Sequence, residues 1–178
     1  MPTDTRRILS QSALFSAISP EGVDRLIDVG RVEYWQKDAL LLEQGAVGPR
    51  MMVILEGSVE VLRRDPSGMQ RSIAKLSDGE VLGELSLLLD MPRTATVRAL
   101  TEVRVFAMDR ATFNRMADEG DPAALRFGLE LSRVLAARLI RLNDNVVGLL
   151  MAAEGSEPLR ERFNEARQEI FNLWDYEG

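Results

Sequence analysis

The sequence predicts a mainly β fold with flanking helices (α+β): an antiparallel β jelly-roll barrel with N-terminal helices, a long C-terminal helix of the dimerisation type and a final amphipathic helix. From residue 31 to 109, short aliphatic runs are separated by turn signals such as Gly48-Pro49 and Asp65-Pro66-Ser67-Gly68. The stretch Val59-Glu60-Val61 alternates apolar and polar residues, as a half-buried strand does. After Asp109 the apolar residues recur with a helical period.

Capping residues mark the helix boundaries on both sides of the barrel. Ser19 can accept a hydrogen bond from a free amide, Pro20 suits the first helical position, and Gly30 predicts the end of this helix. Asp109 predicts a cap for a second, short helix. Asp121-Pro122 repeats the combination of cap and first-turn proline, and predicts the start of the long helix.

A heptad pattern runs along the long helix for roughly three and a half repeats. Its positions are Leu125, Gly128, Ser132, Leu135, Leu139, Leu142, Val146 and Leu149. The pattern favours pairing with a second copy of the chain. Packing of the same stripe on its own barrel alone is the alternative that the sequence leaves open.

These patterns divide the chain into three segments. Residues 1–121 are predicted to form the barrel with its N-terminal helices, and residues 122–151 the long helix, which serves as lid and dimerisation element. Residues 152–178 are predicted to form an acidic amphipathic helix, with three arginines against seven carboxylates.

Composition narrows the possible chemistry. The 178 residues carry a net charge of −6, which argues against a general nucleic-acid binder. The sequence contains no cysteine and no histidine, which excludes thiolate catalysis, Ser-His triads and nearly every transition-metal site. The sequence shows no apolar core of a secretory signal and no apolar run long enough to span a bilayer, so we expect a cytoplasmic protein. Because cysteine and histidine are absent, we expect no cofactor and no metal. The remaining chemical groups are carboxylates, arginines, hydroxyls and backbone amides, which suit a binding protein better than an enzyme.

The stretch from Gly83 to Val97 carries most of the functional information. Gly83 allows close approach of a ligand, and unpaired amides near Leu85 and Ser86 at the start of a short helical turn would suit a phosphate. Arg93 supplies a planar, charged fork for phosphate oxygens. Glu84 accepts hydrogen bonds only, and a ribose hydroxyl is a suitable donor. Together, these groups predict a binding site for a nucleotide in which the phosphate lies close to the 2′-OH of its own ribose.

Gly83-Glu84-Leu85-Ser86-Leu87 followed by Pro92-Arg93-Thr94-Ala95-Thr96-Val97 resembles the phosphate-binding cassette of cyclic nucleotide-binding domains. Such domains occur in catabolite activator protein, cAMP-dependent kinase regulatory subunits and cyclic-nucleotide-gated channels. The resemblance covers roughly residues 14–150. It implies that Glu84 binds the ribose 2′-OH and Arg93 the cyclic phosphate. The amides of Leu85, Ser86 and Ala95 would complete the phosphate cage, and Gly83 would admit the sugar.

The resemblance also implies contacts to the purine. Val61, Ile73 and Leu76 match family positions whose apolar side chains cover the base. Thr94 follows the arginine at a position where a hydroxyl often accompanies acceptance of cGMP. Asn143 matches a place where a polar residue of the partner's helix reaches the purine, but a solvated or register-setting asparagine is an equal alternative.

Together these features predict a stand-alone, non-catalytic receptor for cAMP or cGMP that forms a homodimer through the long helix and acts on a protein partner. Only 28 residues follow Leu150, fewer than the roughly 60–80 of a helix-turn-helix domain. We therefore expect no direct DNA binding, and no membrane. Two alternatives remain: a constitutive dimerisation module with a degenerate pocket, and a relative of transcription regulators that lacks the helix-turn-helix domain.

Overall fold

A computed structural model describes residues 2–89 and 91–152, which form five helices and eight strands. The helices are α1 (Pro2–Gln11), α2 (Pro20–Val29), α3 (Leu85–Leu88), α4 (Arg110–Asp118) and α5 (Pro122–Ala152). The strands are β1 (Arg31–Trp35), β2 (Leu40–Leu42), β3 (Arg50–Glu56), β4 (Val59–Arg64), β5 (Gln70–Leu76), β6 (Val81–Leu82), β7 (Thr96–Ala99) and β8 (Val103–Asp109).

The strands form two four-stranded sheets, in the orders β1-β8-β3-β6 and β2-β7-β4-β5. Every pairing between neighbouring strands is antiparallel. A buried apolar cluster draws side chains from both sheets, so the main core lies between them. The predicted antiparallel β-roll with flanking helices is confirmed.

The sheet that contains β3 is buried on both faces. Met52 and Ile54 belong to the core between the sheets. The alternate residues on β3 are also buried and point to the opposite face. On β8, Phe106 contacts Phe15 edge-on at 6.3 Å between ring centroids, and Phe15 contacts Phe127 of α5 at 5.3 Å. An aromatic cluster therefore attaches the helices to the back of this sheet.

Two of the predicted caps are confirmed by their hydrogen bonds. The Ser19 hydroxyl accepts from the amide of Gly22 at 3.2 Å, at the start of α2. The Asp121 carboxylate accepts from the amides of Ala123 at 2.7 Å and Ala124 at 3.2 Å, at the start of α5. Local sequence signals were sufficient here because each cap bonds only to its own first turn.

Two other boundary residues behave differently from the prediction. Asp109 precedes α4, but its side chain makes no capping hydrogen bond and instead accepts from Arg31 Nη1 at 2.5 Å. The predicted Asp109 cap is therefore wrong. Gly30 does follow the last residue of α2, but at a φ of −93°, so a left-handed turn is not the reason for the glycine. A Cβ there would lie 2.2 Å from a ring carbon of Phe106.

Helix α5 has different surroundings along its length. The chain divides into two compact units, one ending at Ser132 and the other starting at Arg133. In the first unit, Phe127 and Leu131 of α5 are fully buried, whereas the heptad residue Leu125 is exposed. In the second unit, Leu139 and Leu142 are exposed within this single chain. The buried stripe thus differs from the predicted heptad stripe.

The predicted acidic helix over 152–178 lies outside the described residues beyond Ala152, and the three predicted segment boundaries stay a prediction. In residues 2–89 and 91–152, no helix is long and apolar enough to cross a membrane.

Candidate functional site

Strand β6 leads directly into the predicted cassette. It ends at Leu82, and Gly83 then takes a φ of +71°, a left-handed conformation that favours glycine. The short helix α3 follows, with Glu84 at its cap position and no side-chain capping bond. The chain thus turns sharply at Gly83 and holds Glu84 half-buried at the start of the turn.

Arg93 is buried, with 6% of its surface exposed, whereas Glu84, the other charged residue of the cassette that the structure describes, is half-buried. The amide of Arg93 donates to the carbonyl of Ala46 at 2.9 Å, and its own carbonyl accepts from the amide of Gly45 at 2.8 Å. These two main-chain bonds attach the cassette to the loop that follows β2. They also fix the starting direction of the Arg93 side chain.

The Arg93 guanidinium lies against main-chain atoms from two further segments. Nη1 donates to the carbonyl of Gly83 at 3.2 Å, and Nη2 donates to the carbonyl of Arg50 at 2.7 Å. Guanidinium groups have five N–H donors, so these bonds leave others for a ligand. These hydrogen bonds place the Arg93 guanidinium against the main chain of Gly83, ten positions earlier in the sequence. A single phosphate site formed by both residues requires this proximity.

Two glycines make room for this guanidinium. A Cβ on Gly83 would lie 2.4 Å from Nη1 of Arg93, and one on Gly48 would lie 3.2 Å from both Nε and Nη2. Gly48-Pro49 was predicted only as a turn signal, and the contact of Gly48 with Arg93 was not predicted. A glycine in a predicted loop is compatible with close approach of another group, but nothing in the sequence indicates which group approaches.

The charge of Arg93 is incompletely compensated. Within residues 2–89 and 91–152, its guanidinium forms no salt bridge, whereas the neighbouring Arg50 pairs with Glu33 at 2.8 Å. Burial lowers the pKa of the Arg93 guanidinium, the charge of Arg50 lowers it further, and the carboxylate of Glu84 opposes both effects. Arginine nevertheless stays protonated in proteins. A buried cation without a carboxylate partner is a suitable place for an anion.

One part of the predicted phosphate cage differs in the structure. The amide of Ser86 is not unpaired, because it donates to the carbonyl of Gly83 at 3.2 Å. The expectation of a free Ser86 amide is therefore wrong, and its cause is the tight turn that Gly83 permits. The Ser86 side chain is buried, Ala95 is half-buried and Thr94 is exposed. Contacts of the Leu85 and Ala95 amides with a phosphate stay predictions.

The predicted purine-contacting residues are not all in one environment. Val61 and Leu76 are half-buried and pack against the core between the sheets. Ile73 is 57% exposed and lies in a bulge, where Val61 and Leu62 pair with residues on either side of it. Ile73 also lines a cavity of about 480 Å³ beside the β4–β5 hairpin. Asn143 is exposed on α5 in the second unit. Their contact with a purine stays a prediction.

The fold and the incompletely compensated Arg93 guanidinium describe a jelly-roll domain suited to an anionic ligand, and comparison with known proteins specifies the class. The family model described as cyclic nucleotide-binding domain matches residues 32–119. The chain belongs to the cyclic nucleotide-binding domain family.

Individual relatives agree with this assignment. Over 144 residues the chain is 30% identical to a CRP-like cAMP-activated global transcriptional regulator of Mycobacterium tuberculosis; the match covers 80% of this chain and 62% of that protein. The chain thus spans about three-fifths of this curated relative's length.

Two solved structures share the fold. A cyclic nucleotide-binding domain from Methylobacillus flagellatus matches with a TM-score of 0.73 and 25% identity, covering 82% of each chain. The catabolite activator protein of Thermus thermophilus matches with a TM-score of 0.69 and 27% identity, covering 78% of this chain and 63% of that one.

Proposed function

We propose that this protein is a non-catalytic receptor for a cyclic mononucleotide, cAMP or cGMP, that acts through a protein partner. The observation that carries the proposal is the Arg93 guanidinium, buried in the cassette with hydrogen bonds to two main-chain carbonyls and no salt bridge among the described residues. Membership of the family supports a cyclic nucleotide as the ligand. The name of the mycobacterial relative supports cAMP in particular.

Each group of the cassette has a role in this proposal. Arg93 binds the cyclic phosphate through the N–H donors that the carbonyls of Gly83 and Arg50 leave available. Glu84 accepts a hydrogen bond from the ribose 2′-OH, and Gly83 admits the sugar because it has no side chain. The Leu85 and Ala95 amides and the Ser86 hydroxyl add hydrogen bonds to the phosphate. Val61, Ile73 and Leu76 cover the purine, and Thr94 bears on the choice between cAMP and cGMP.

No reaction and no cofactor are part of the proposal. The chain has no histidine and no cysteine, the side chains that most often supply a general base or a thiolate nucleophile. Direct DNA binding is not proposed either, because the net charge of −6 opposes binding to phosphates.

The test of the proposal is a calorimetric titration of the full chain with cAMP and with cGMP. We expect saturable heat with one site per chain for at least one of the two, and no saturable heat with adenosine 5′-monophosphate, which lacks the fused phosphate–ribose ring. Flat titrations with both cyclic nucleotides would contradict the proposal and favour the alternative of an interaction module with a degenerate pocket.

We further propose that α5 pairs with α5 of a second copy and that this pairing transmits ligand binding to the partner protein. Leu139 and Leu142 are heptad residues at which the single chain exposes a large apolar side chain, 50% and 58% exposed respectively. Large apolar side chains at successive heptad positions suit burial against a second helix, so the stretch of α5 in the second unit has the character of a helix-pairing surface. A charge at one of these positions would be buried in the helix pair at high cost.

Replacing Leu142 with glutamate is expected to shift the protein to monomers in analytical ultracentrifugation at micromolar concentration. Arg141→Glu is the matched control, because it places the same residue next to the heptad stripe and should leave the dimer in place. A wild-type protein that sediments as a monomer with and without cAMP, or a Leu142→Glu variant that stays dimeric, would contradict the pairing.

A further inference from the structure

The outer face of the second sheet carries a groove that the nucleotide site does not use. Val97 of β7 is buried in the core between the sheets, so its neighbours Thr96 and Arg98 point to the opposite face. A groove of about 610 Å³ opens there, within the size range of small-molecule sites. Its lining includes Leu40, Gln44, Leu62, Arg64, Thr96 and Arg98.

One part of the groove is apolar, and its wall is held in place by hydrogen bonds. Leu62 is 8% exposed and Leu40 is 48% exposed, so together they offer a partly buried apolar surface. Gln44 forms the wall: its amide donates to the Thr96 hydroxyl at 3.0 Å, and its side-chain oxygen accepts from the amide of Arg64 at 2.7 Å. These bonds hold the backbone at Arg64, which lines the groove.

Two arginines line the groove, and they differ in how their charge is compensated. Arg98 donates from Nη2 to Glu60 at 2.8 Å, while its Nε is buried without a hydrogen-bond partner. Arg64 forms no salt bridge within residues 2–89 and 91–152, since the nearby Asp65 pairs with Arg71 at 2.9 Å. Glu43 is the acidic lining residue and is exposed. The lining therefore has an excess of positive charge, located at Arg64.

We propose that this groove binds a small organic acid, with its carboxylate or phosphate held by Arg64 and its apolar body on Leu40 and Leu62. The guanidinium fork of Arg64 matches the two oxygens of such a group. The site is distinct from the Arg93 guanidinium, which bonds to the Gly83 and Arg50 carbonyls and is not among the groups that line the groove. It goes beyond the proposed nucleotide function and does not depend on it.

The test uses 4-phenylbutyrate as probe, followed by amide chemical-shift changes in the full chain with cAMP present throughout. We expect saturable shifts at Leu40, Gln44 and Thr96. The uncharged 4-phenylbutanamide should bind about tenfold more weakly or worse, because it cannot form the charge-assisted hydrogen bonds. Equal binding of acid and amide, or shifts that grow without saturating, would overturn the proposal.

Arg64→Gln is expected to weaken binding of 4-phenylbutyrate by about tenfold or more, since it removes the charged fork from an exposed position. Arg63→Gln is the matched control, because it removes the same charge from the adjacent residue of β4, which is not among the lining residues of the groove. Wild-type affinity in Arg64→Gln, or a greater loss in Arg63→Gln, would show that the probe binds elsewhere and would overturn the site.

Discussion

Arg93→Ala is expected to weaken binding of cAMP and cGMP by about 100-fold or more. The change removes a buried cation that would form charge-assisted hydrogen bonds with the phosphate, and losing such a pair costs about 2–5 kcal/mol. Arg93→Lys should also bind poorly, because a compact ammonium cannot reproduce the planar fork. Titration calorimetry of each variant beside the wild type measures the effect.

The controls separate loss of binding from loss of fold. Arg115→Ala removes the same charge from an exposed position on α4 and should bind like the wild type. Arg93→Ala also removes the donors to the Gly83 and Arg50 carbonyls, so its thermal unfolding is recorded and binding is measured well below the transition. A folded Arg93→Ala or Arg93→Lys variant with wild-type affinity would contradict the assigned role of Arg93.

Gly83→Ala is expected to destabilise the fold and to remove nucleotide binding. A left-handed φ costs a non-glycine residue roughly 1–2 kcal/mol. The new Cβ would also lie 2.4 Å from Nη1 of Arg93 and 3.0 Å from the carbonyl oxygen of Arg50. Such crowding costs a further 1–3 kcal/mol or so and displaces the guanidinium from the cassette. Denaturant unfolding and titration calorimetry measure the two effects.

Gly68→Ala is the matched control for this substitution. Gly68 has a φ of +85°, close to the +71° of Gly83, but a Cβ there meets nothing within 4 Å. Both variants should therefore lose the stability associated with the left-handed backbone, whereas only Gly83→Ala should lose more and also lose nucleotide affinity. Equal destabilisation of the two variants with intact binding in both would show that the space around Arg93 is not required.

Features that depend on neighbouring residues were predictable from the sequence. The two-sheet fold followed from alternation and turn signals, and the Ser19 and Asp121 caps from side chains that bond within one turn. The β4–β5 turn is similar, because Asp65 accepts from the amides of Ser67 and Met69, both at 3.0 Å. For the two caps and this turn, the hydrogen-bond partners lie within four residues.

Features that depend on distant residues were not predictable. Asp109 bonds to Arg31 instead of its own helix, and Gly30 is required by the Phe106 ring, far along the chain. N-terminal helices were predicted, but the range of α1 was not. One of its contacts with the barrel is the hydrogen bond that Arg104 donates to Asp4 at 2.5 Å, which spans 100 positions.

The candidate site shows the same division between local and distant information. Residue types and spacing over the cassette indicated Arg93 and Glu84 as ligand-binding groups. They could not show that the carbonyl of Arg50 accepts from Arg93, or that Gly48 leaves room for it. They also could not show that the Ser86 amide is bonded to Gly83, because this depends on how tightly the chain turns.

The most direct test of the central claim is a crystal structure of the full chain with cAMP at saturating concentration. We predict that the cyclic phosphate lies against Arg93, with N–H to oxygen distances of about 2.7–2.9 Å, and that the Glu84 carboxylate lies within hydrogen-bond distance of the ribose 2′-OH. A structure in which the Arg93 guanidinium contacts only the Gly83 and Arg50 carbonyls, with the nucleotide elsewhere or absent, would contradict the account.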